Sequence, residues 1–350
     1  MNEETPIQVS LLTGFLGSGK TTLLNALLRH EAMAETAVLI NEFGDIGIDH
    51  SLVETVDPDM IELTTGCLCC TVQGDLTRAL REIFLKRVNK EIKPFQRVLI
   101  ESTGLADPAP VIQTLVNDPV IAHRYSLDGI IATIDALHAP GQLIRHEECK
   151  RQAAVADRLV ITKTDMATTG QISLCKEALH NLNPAAPTFE TESGNIHPDK
   201  LFDCGLFNPS KKTYDVQNWL KAESYHDKHD HGHDHDHRTH DKNRHDENIN
   251  AWCLEYQDPI SWPVFIAWIQ TIIDNHGEKI LRIKGIVNIE GEEQPIAIHG
   301  VQHIFHPPAK LPAWPDQNRD TKMVFIVDRL SQAEIEKQLE RLITNARKFK

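Results

Sequence analysis

Cys67, Cys69 and Cys70 place three thiols within four positions, in the stretch GCLCC, in a chain of 350 residues with seven cysteines. Thiols this close can form a disulfide, undergo redox chemistry or hold a metal ion. An odd total does not suit a disulfide framework, and a reducing compartment removes structural disulfides. Apolar Leu76, Ala79, Leu80, Ile83, Phe84 and Val88 recur at spacings of three and four, which predicts a helix over 75–88. A short strand is expected over 60–63, so the thiols lie in a strand-to-helix turn. A helix N-terminus favours the thiolate, the form that binds borderline metals. Cys67 and Cys69 converge if the turn is extended, and Cys70 adds a third sulfur or a lid. A tetrahedral ion then needs one more ligand, which Glu42, a histidine or water can supply. An incomplete set of protein ligands suits transient holding, since closed four-ligand sites are structural. Oxidation of adjacent low-pKa thiols and inert packing are the competing readings. The other cysteines, Cys149, Cys175, Cys204 and Cys253, are scattered singly and read as small apolar side chains.

A second constellation opens the chain. An apolar strand over 7–12 runs into Gly14-Phe15-Leu16-Gly17-Ser18-Gly19-Lys20-Thr21, and a helix over 22–30 follows, with Leu23, Leu24, Leu27 and Leu28 on one side. Strand, GxxxxGKT and helix together make a phosphate-binding loop. Backbone N–H groups of Gly14, Gly17, Ser18 and Gly19 curl around phosphate oxygens, and the helix dipole adds to them. Lys20 reaches the β and γ phosphates, Thr21 ligates Mg²⁺, and Thr22 continues the motif.

Such a loop needs partners from other strands. RVLIE, residues 97–101, is an apolar strand ending in Glu101, a carboxylate for the Mg²⁺, and Gly104 follows with an N–H that can sense a γ-phosphate. RLVITKTD, residues 158–165, ends a further strand in Thr162-Lys163-Thr164-Asp165. Asp165 can accept two hydrogen bonds from guanine that adenine cannot offer, and Lys163 can lay its stem along the base. The usual guanine signature opens with Asn, and Thr162 is a poorer mimic of that amide. A segment that changes shape with the γ-phosphate is expected at Asn41-Glu42-Phe43-Gly44 and the acidic residues 45–49, after a strand over 37–40.

GFLGSGKTT, NEFG, GCLCC, IESTGLADP and TKTD occur in this order, and the series resembles the CobW/YjiA family of GTPases, implicated as metallochaperones. The resemblance covers the N-terminal region to about residue 200, and the C-terminal region is consistent with the family's second domain. It implies a GTPase that holds a transition metal on Cys67, Cys69 and Cys70 and releases it to a client metalloprotein when GTP is hydrolysed, with the phosphate loop over Gly14 to Thr22. The TKTD form of the base motif is of the kind this family uses. Zinc is the expected ion, with cobalt or nickel as alternatives. A GTPase assembling a metal or cobalamin enzyme, and a passive zinc buffer, are the rival functions.

The remaining composition fits a two-domain chain. Residues 226–245 carry eight of the 19 histidines among aspartates, a composition that cannot form a core. It reads as a solvated linker over 221–250 whose neutral imidazoles collect metal. The expected architecture is a doubly wound α/β phosphate-loop domain over 1–220 and a smaller α+β domain over 251–350, an antiparallel sheet with two helices. In the latter, His299, His303 and His306 read more readily as surface or core residues than as ligands. A net charge of −14 argues against a nucleic-acid partner. No apolar run approaches the ~20 residues of a membrane span, and the acidic start MNEETPIQV lacks a secretory signal pattern. A cytoplasmic protein is expected, and a homodimer is left open.

Overall fold

The structure, a computed structural model, describes residues 6–40, 72–204, 249–315 and 317–348. The expected switch at 41–49 with Glu42, the strand at 60–63, Cys67, Cys69, Cys70 and the histidine tract lie outside the described residues. The chain divides into two compact units.

The first unit is built on six parallel strands among the described residues: β1 (Ile7–Gly14), β2 (Thr36–Ile40), β3 (Arg97–Glu101), β4 (Tyr125–Asp135), β5 (Arg158–Thr162) and β6 (Thr188–Glu190), in the order β2-β3-β1-β4-β5-β6. The helices are α1 (Lys20–Leu28), α2 (Val72–Val88), α3 (Ala109–Asn117), α4 (Pro119–Arg124), α5 (Ala139–Arg145), α6 (Glu147–Val155) and α7 (Thr169–Leu182). Alternation along the strands divides the core in two. Ala132 and Ile134 of β4 and Leu159 and Ile161 of β5 join the side chains of α5, α6 and α7. Ile131 and Val160, each next in sequence to one of these, join Leu23, Leu24 and Leu27 of α1. A parallel sheet covered on both faces needs this two-sided apolar pattern, and it is the doubly wound arrangement expected.

β4, β6 and α3 to α7 carry no expectation above, because β4 looks interrupted by Asp128, Gly129, Thr133 and Asp135. Asp128 is nevertheless buried, and its Oδ2 accepts from Ser10 Oγ at 3.0 Å and from the Asp203 N–H at 3.0 Å. These partners come from distant sequence, so no local pattern reveals that an acid belongs in this strand. The helix expected from residue 22 begins at Lys20, capped by Gly19 at φ 87°.

The second sheet is antiparallel: β7 (Ile249–Tyr256), β8 (Ile280–Val287), β9 (Ile296–Val301), β10 (Ile304–Phe305), β11 (Ala309–Lys310) and β12 (Thr321–Asp328), ordered β10-β9-β8-β12-β7 with β11 also on β9. Two helices, α8 (Trp262–His276) and α9 (Gln332–Arg347), complete it. Trp268 is fully buried, packs edge-on to Phe325 at 6.2 Å, and donates its indole N–H to Ile335 O at 3.3 Å, tying both helices to β12. Ser261 precedes α8, but its side chain makes no capping hydrogen bond.

One buried amide holds the layer behind β1 together. Asn183 Nδ2 lies 3.0 Å from each of the carbonyls of Ala153, Ala154 and Ala156, at the C-terminal end of α6, where helix carbonyls lack their usual partners in the next turn. Asn183→Ala should lower stability by about 1–3 kcal/mol, the cost of leaving buried acceptors unmade. Asn183→Asp should cost more, since it turns a carboxylate toward three carbonyls. Chemical denaturation of the two variants against the parent checks the order.

Candidate functional site

The strand order reverses at β1, which lies between β3 and β4, so the carboxyl ends of these three strands frame the crevice where open α/β sheets bind ligands. The GxxxxGKT loop leaves β1 at this point. Gly17 and Gly19 take φ 71° and 87°, left-handed values that other residues adopt only at a cost. Gly14 is required by contact: a Cβ there would lie 2.3 Å from Thr133 Oγ1. Thr133 Oγ1 shares a 2.7 Å hydrogen bond with Ser18 Oγ and reaches Thr13 O at 3.3 Å, so β4 braces the loop from the side. Lys20 is buried, with Nζ 2.9 Å from Gly14 O and 3.3 Å from Phe15 O, and the ammonium is held over the loop's own backbone. Thr22, on the next turn, is exposed.

Thr21 and Glu101 are brought together from 80 residues apart. Thr21 Oγ1 donates to Glu101 Oε1 at 2.9 Å, and Glu101 is 5% exposed. A hydroxyl beside a carboxylate at the end of the neighbouring strand is an all-oxygen donor set, the chemistry Mg²⁺ prefers, with room in its shell for phosphate oxygens and water. The residues present therefore fit that ion.

The loop after β3 closes against the same cradle. Ser102 donates its N–H to Leu12 O at 2.9 Å and its hydroxyl to Thr13 Oγ1 at 3.0 Å. A Cβ on Gly104 would sit 2.8 Å from the Leu16 nitrogen, so glycine permits this backbone to touch the phosphate loop.

The TKTD segment is bonded to the cradle by its first residue. Thr162 Oγ1 donates to Ser18 O at 2.7 Å, with Ile134 O at 3.2 Å. The hydroxyl that looked like a weak substitute for asparagine thus joins the base motif to the phosphate loop directly. Lys163 has φ 57°, a left-handed conformation of order 1–3 kcal/mol above the ordinary ones. Its Nζ is held 2.7 Å from Asp135 Oδ2, at the end of β4. Burial opposes ionisation of Asp135, but hydrogen bonds from Lys163, His138 and the Leu137 N–H outweigh it and keep the carboxyl below its usual range. Asp165 is exposed, and Thr164 Oγ1 reaches Thr191 O at 3.1 Å.

Thr133 and Asp135 are members of this site that sequence reasoning missed. The available signal was IIATID: an apolar run whose last polar residues fall at a strand end, the pattern that singled out Glu101. Among the described residues no group of three or more His, Cys, Asp or Glu side chains is arranged to hold a metal ion. His299 and His306 are buried and His303 is exposed. Burial pushes the Cys149, Cys175 and Cys253 thiols up to about 12, as expected of packing residues rather than metal ligands.

Comparison with known proteins agrees with this geometry. Residues 8–190 match the CobW/HypB/UreG nucleotide-binding domain, and residues 249–343 match the cobalamin synthesis protein CobW C-terminal domain. The chain is 34% identical over 334 residues to the zinc chaperone YjiA of Escherichia coli, covering 94% of this chain and 96% of that protein. It is 27% identical over 376 residues to zinc-regulated GTPase metalloprotein activator 1 of Saccharomyces cerevisiae, covering 98% and 85%. The crystal structure of Zn(II)-bound YjiA GTPase from E. coli superposes with a TM-score of 0.69 at 32% identity, covering 97% of this chain and 99% of that one. A phosphate loop braced by β3, β4 and β5, followed by the matching C-terminal domain, places this chain in the CobW family of nucleotide-binding proteins.

Proposed function

We propose that this protein is a cytoplasmic GTPase that carries a transition metal, zinc in the first place and cobalt or nickel otherwise, and gives it to a client metalloprotein as GTP is hydrolysed. The observation that carries the reading is the Thr21–Glu101 pair beside Lys20 at the strand-order switch. Relatives named as a zinc chaperone and a zinc-regulated GTPase support the metal and the nucleotide. Among the described residues no helix is long and apolar enough to cross a membrane. We assign residues 1–220 to the GTPase domain, 221–250 to a linker and 251–350 to the C-terminal domain.

Gly14, Gly17, Ser18, Gly19, Lys20, Thr21 and Thr22 cradle the phosphates, and Thr21 with Glu101 holds Mg²⁺. That ion, when bound, offsets charge on the phosphate oxygens. Lys20 adds a fixed positive charge where negative charge develops. Gly104 reads the γ-phosphate, and Thr162, Lys163 and Asp165 form the guanine pocket. Cys67, Cys69 and Cys70, with Glu42, take the cargo ion. Zinc titrated into reduced protein should bind with different affinity in the GDP form and in the form holding a non-hydrolysable GTP analogue; equal affinities would remove the coupling. Lys20→Ala should lower kcat for GTP by roughly 10²-fold or more.

Asp135 gives a separate test of the guanine pocket. Asp135→Asn keeps the acceptor for the Leu137 N–H but removes the charge facing Lys163, and GTP affinity should fall roughly tenfold. The folded-state pKa of Asp135 is depressed, so its stabilising contribution is present above the ordinary carboxylate value and is lost as pH falls through the folded value. The melting temperatures of parent and Asn variant should therefore differ at neutral pH and converge in strong acid.

A further inference from the structure

The loop that follows β3 is fastened from the side by helix α6. Gln152 of α6 is 1% exposed, and its Nε2 donates to Gly104 O at 3.2 Å and to Ala106 O at 3.1 Å. Two carbonyl acceptors fix the orientation of the amide, since Oε1 in that place would face oxygen with oxygen. Its Oε1 is buried without a hydrogen-bond partner among the described residues. A buried amide that leaves one end unsatisfied is costly, and here the donor end is spent entirely on one short loop.

The helix that carries Gln152 is a firm support. Cys149 and Ala153 lie in the core between the sheet and α7, and the C-terminal carbonyls of α6 are held by Asn183. The same helix touches the phosphate loop at its other end: His146, its N-cap, stacks on Phe15 with ring centroids 4.6 Å apart at 29°. Thus α6 bears on the phosphate loop through His146 and on the Gly104 loop through Gln152. The loop itself is tight, with Ala106 N–H on Thr103 O at 3.2 Å and Ala109 N–H on Asp107 Oδ1 at 2.9 Å.

We infer that Gln152 is a positioning residue for recognition of the γ-phosphate, presetting the Gly104–Ala106 backbone against the phosphate loop so that a nucleoside triphosphate is distinguished from the diphosphate. This rests on the GTPase reading. A diphosphate has no group that reaches the Gly104 loop, so its binding gains nothing from the clamp. A triphosphate binds a loop that is already ordered and loses less conformational entropy on binding. Gln152 carries no charge, so the effect does not depend on its titration.

The test is calorimetric binding of GDP and of a β,γ-imido analogue of GTP, each with Mg²⁺, to the full chain and to Gln152→Leu. Leucine removes the donor and the unsatisfied oxygen together at similar volume, which limits damage to the core. Analogue affinity should fall roughly tenfold, the worth of about two neutral hydrogen bonds, with GDP affinity unchanged within about twofold. A fall in both, or in neither, overturns the proposal. If the parent binds neither nucleotide, the GTPase reading itself fails. Should Gln152→Leu not fold, hydrogen exchange decides on the parent protein alone. Amides of residues 103–106 should already be protected in the GDP form, and fast exchange there that slows only with the analogue overturns the preset clamp.

Discussion

The site depends on the register of one strand. β1 pairs in parallel with β3 from Gln8↔Arg97 to Leu12↔Glu101, and with β4 through to Gly14↔Thr133. The second pairing contains a bulge: Val9 faces Leu127, but Ser10 faces Gly129, so Asp128 is the extra residue. A bulge re-aims a side chain, and the Asp128 carboxylate turns to Ser10 Oγ. Were Asp128 paired in the ladder instead of bulged, Gly14 would face Ala132, which has no hydroxyl for Ser18. Because side chains alternate across a strand, a one-residue slip moves each of them to the opposite face. The buried Asp128–Ser10 bond, at the end of the sheet far from the crevice, thereby decides which β4 residue braces the phosphate loop.

With that register set, contacts converge on a few backbone atoms. Ser18 is bonded by Thr133 through its hydroxyl and by Thr162 through its carbonyl, so β4 and β5 both hold the phosphate loop. Thr13 receives Ser102, so β3 holds it too. Any motion of the β3 or β5 loop is therefore felt at residues within a few positions of Lys20. Packed elements with discrete arrangements are what carry coupling between sites.

What could be seen in the sequence follows from this convergence. Lys20, Thr21 and the glycines are adjacent in the chain, because a phosphate group is small and one turn of backbone surrounds it. Glu101 was legible because it ends an apolar strand. Thr162 was legible in position, but its bond to Ser18, 144 residues away, was not. Thr133 and Asp135 escaped because β4 contains polar residues whose partners are remote, and Gln152 because nothing local marks a helix residue that bonds a loop 46 to 48 residues earlier.

The chemical character of these braces matters for what the crevice can accept. Most are neutral: hydroxyl to hydroxyl at Ser18–Thr133 and Ser102–Thr13, hydroxyl to carbonyl at Thr162–Ser18, amide to carbonyl at Gln152. The carboxylates at the strand ends already have partners, Glu101 with Thr21 and Asp135 with Lys163. A scaffold braced by ion pairs would set fixed charges against a highly anionic ligand, in surroundings where charges interact strongly. Bracing by neutral groups leaves Lys20, the backbone N–H groups and the Thr21–Glu101 pair as the features at the crevice. The neutral braces themselves hold across the range of pH in which carboxylates and imidazoles titrate.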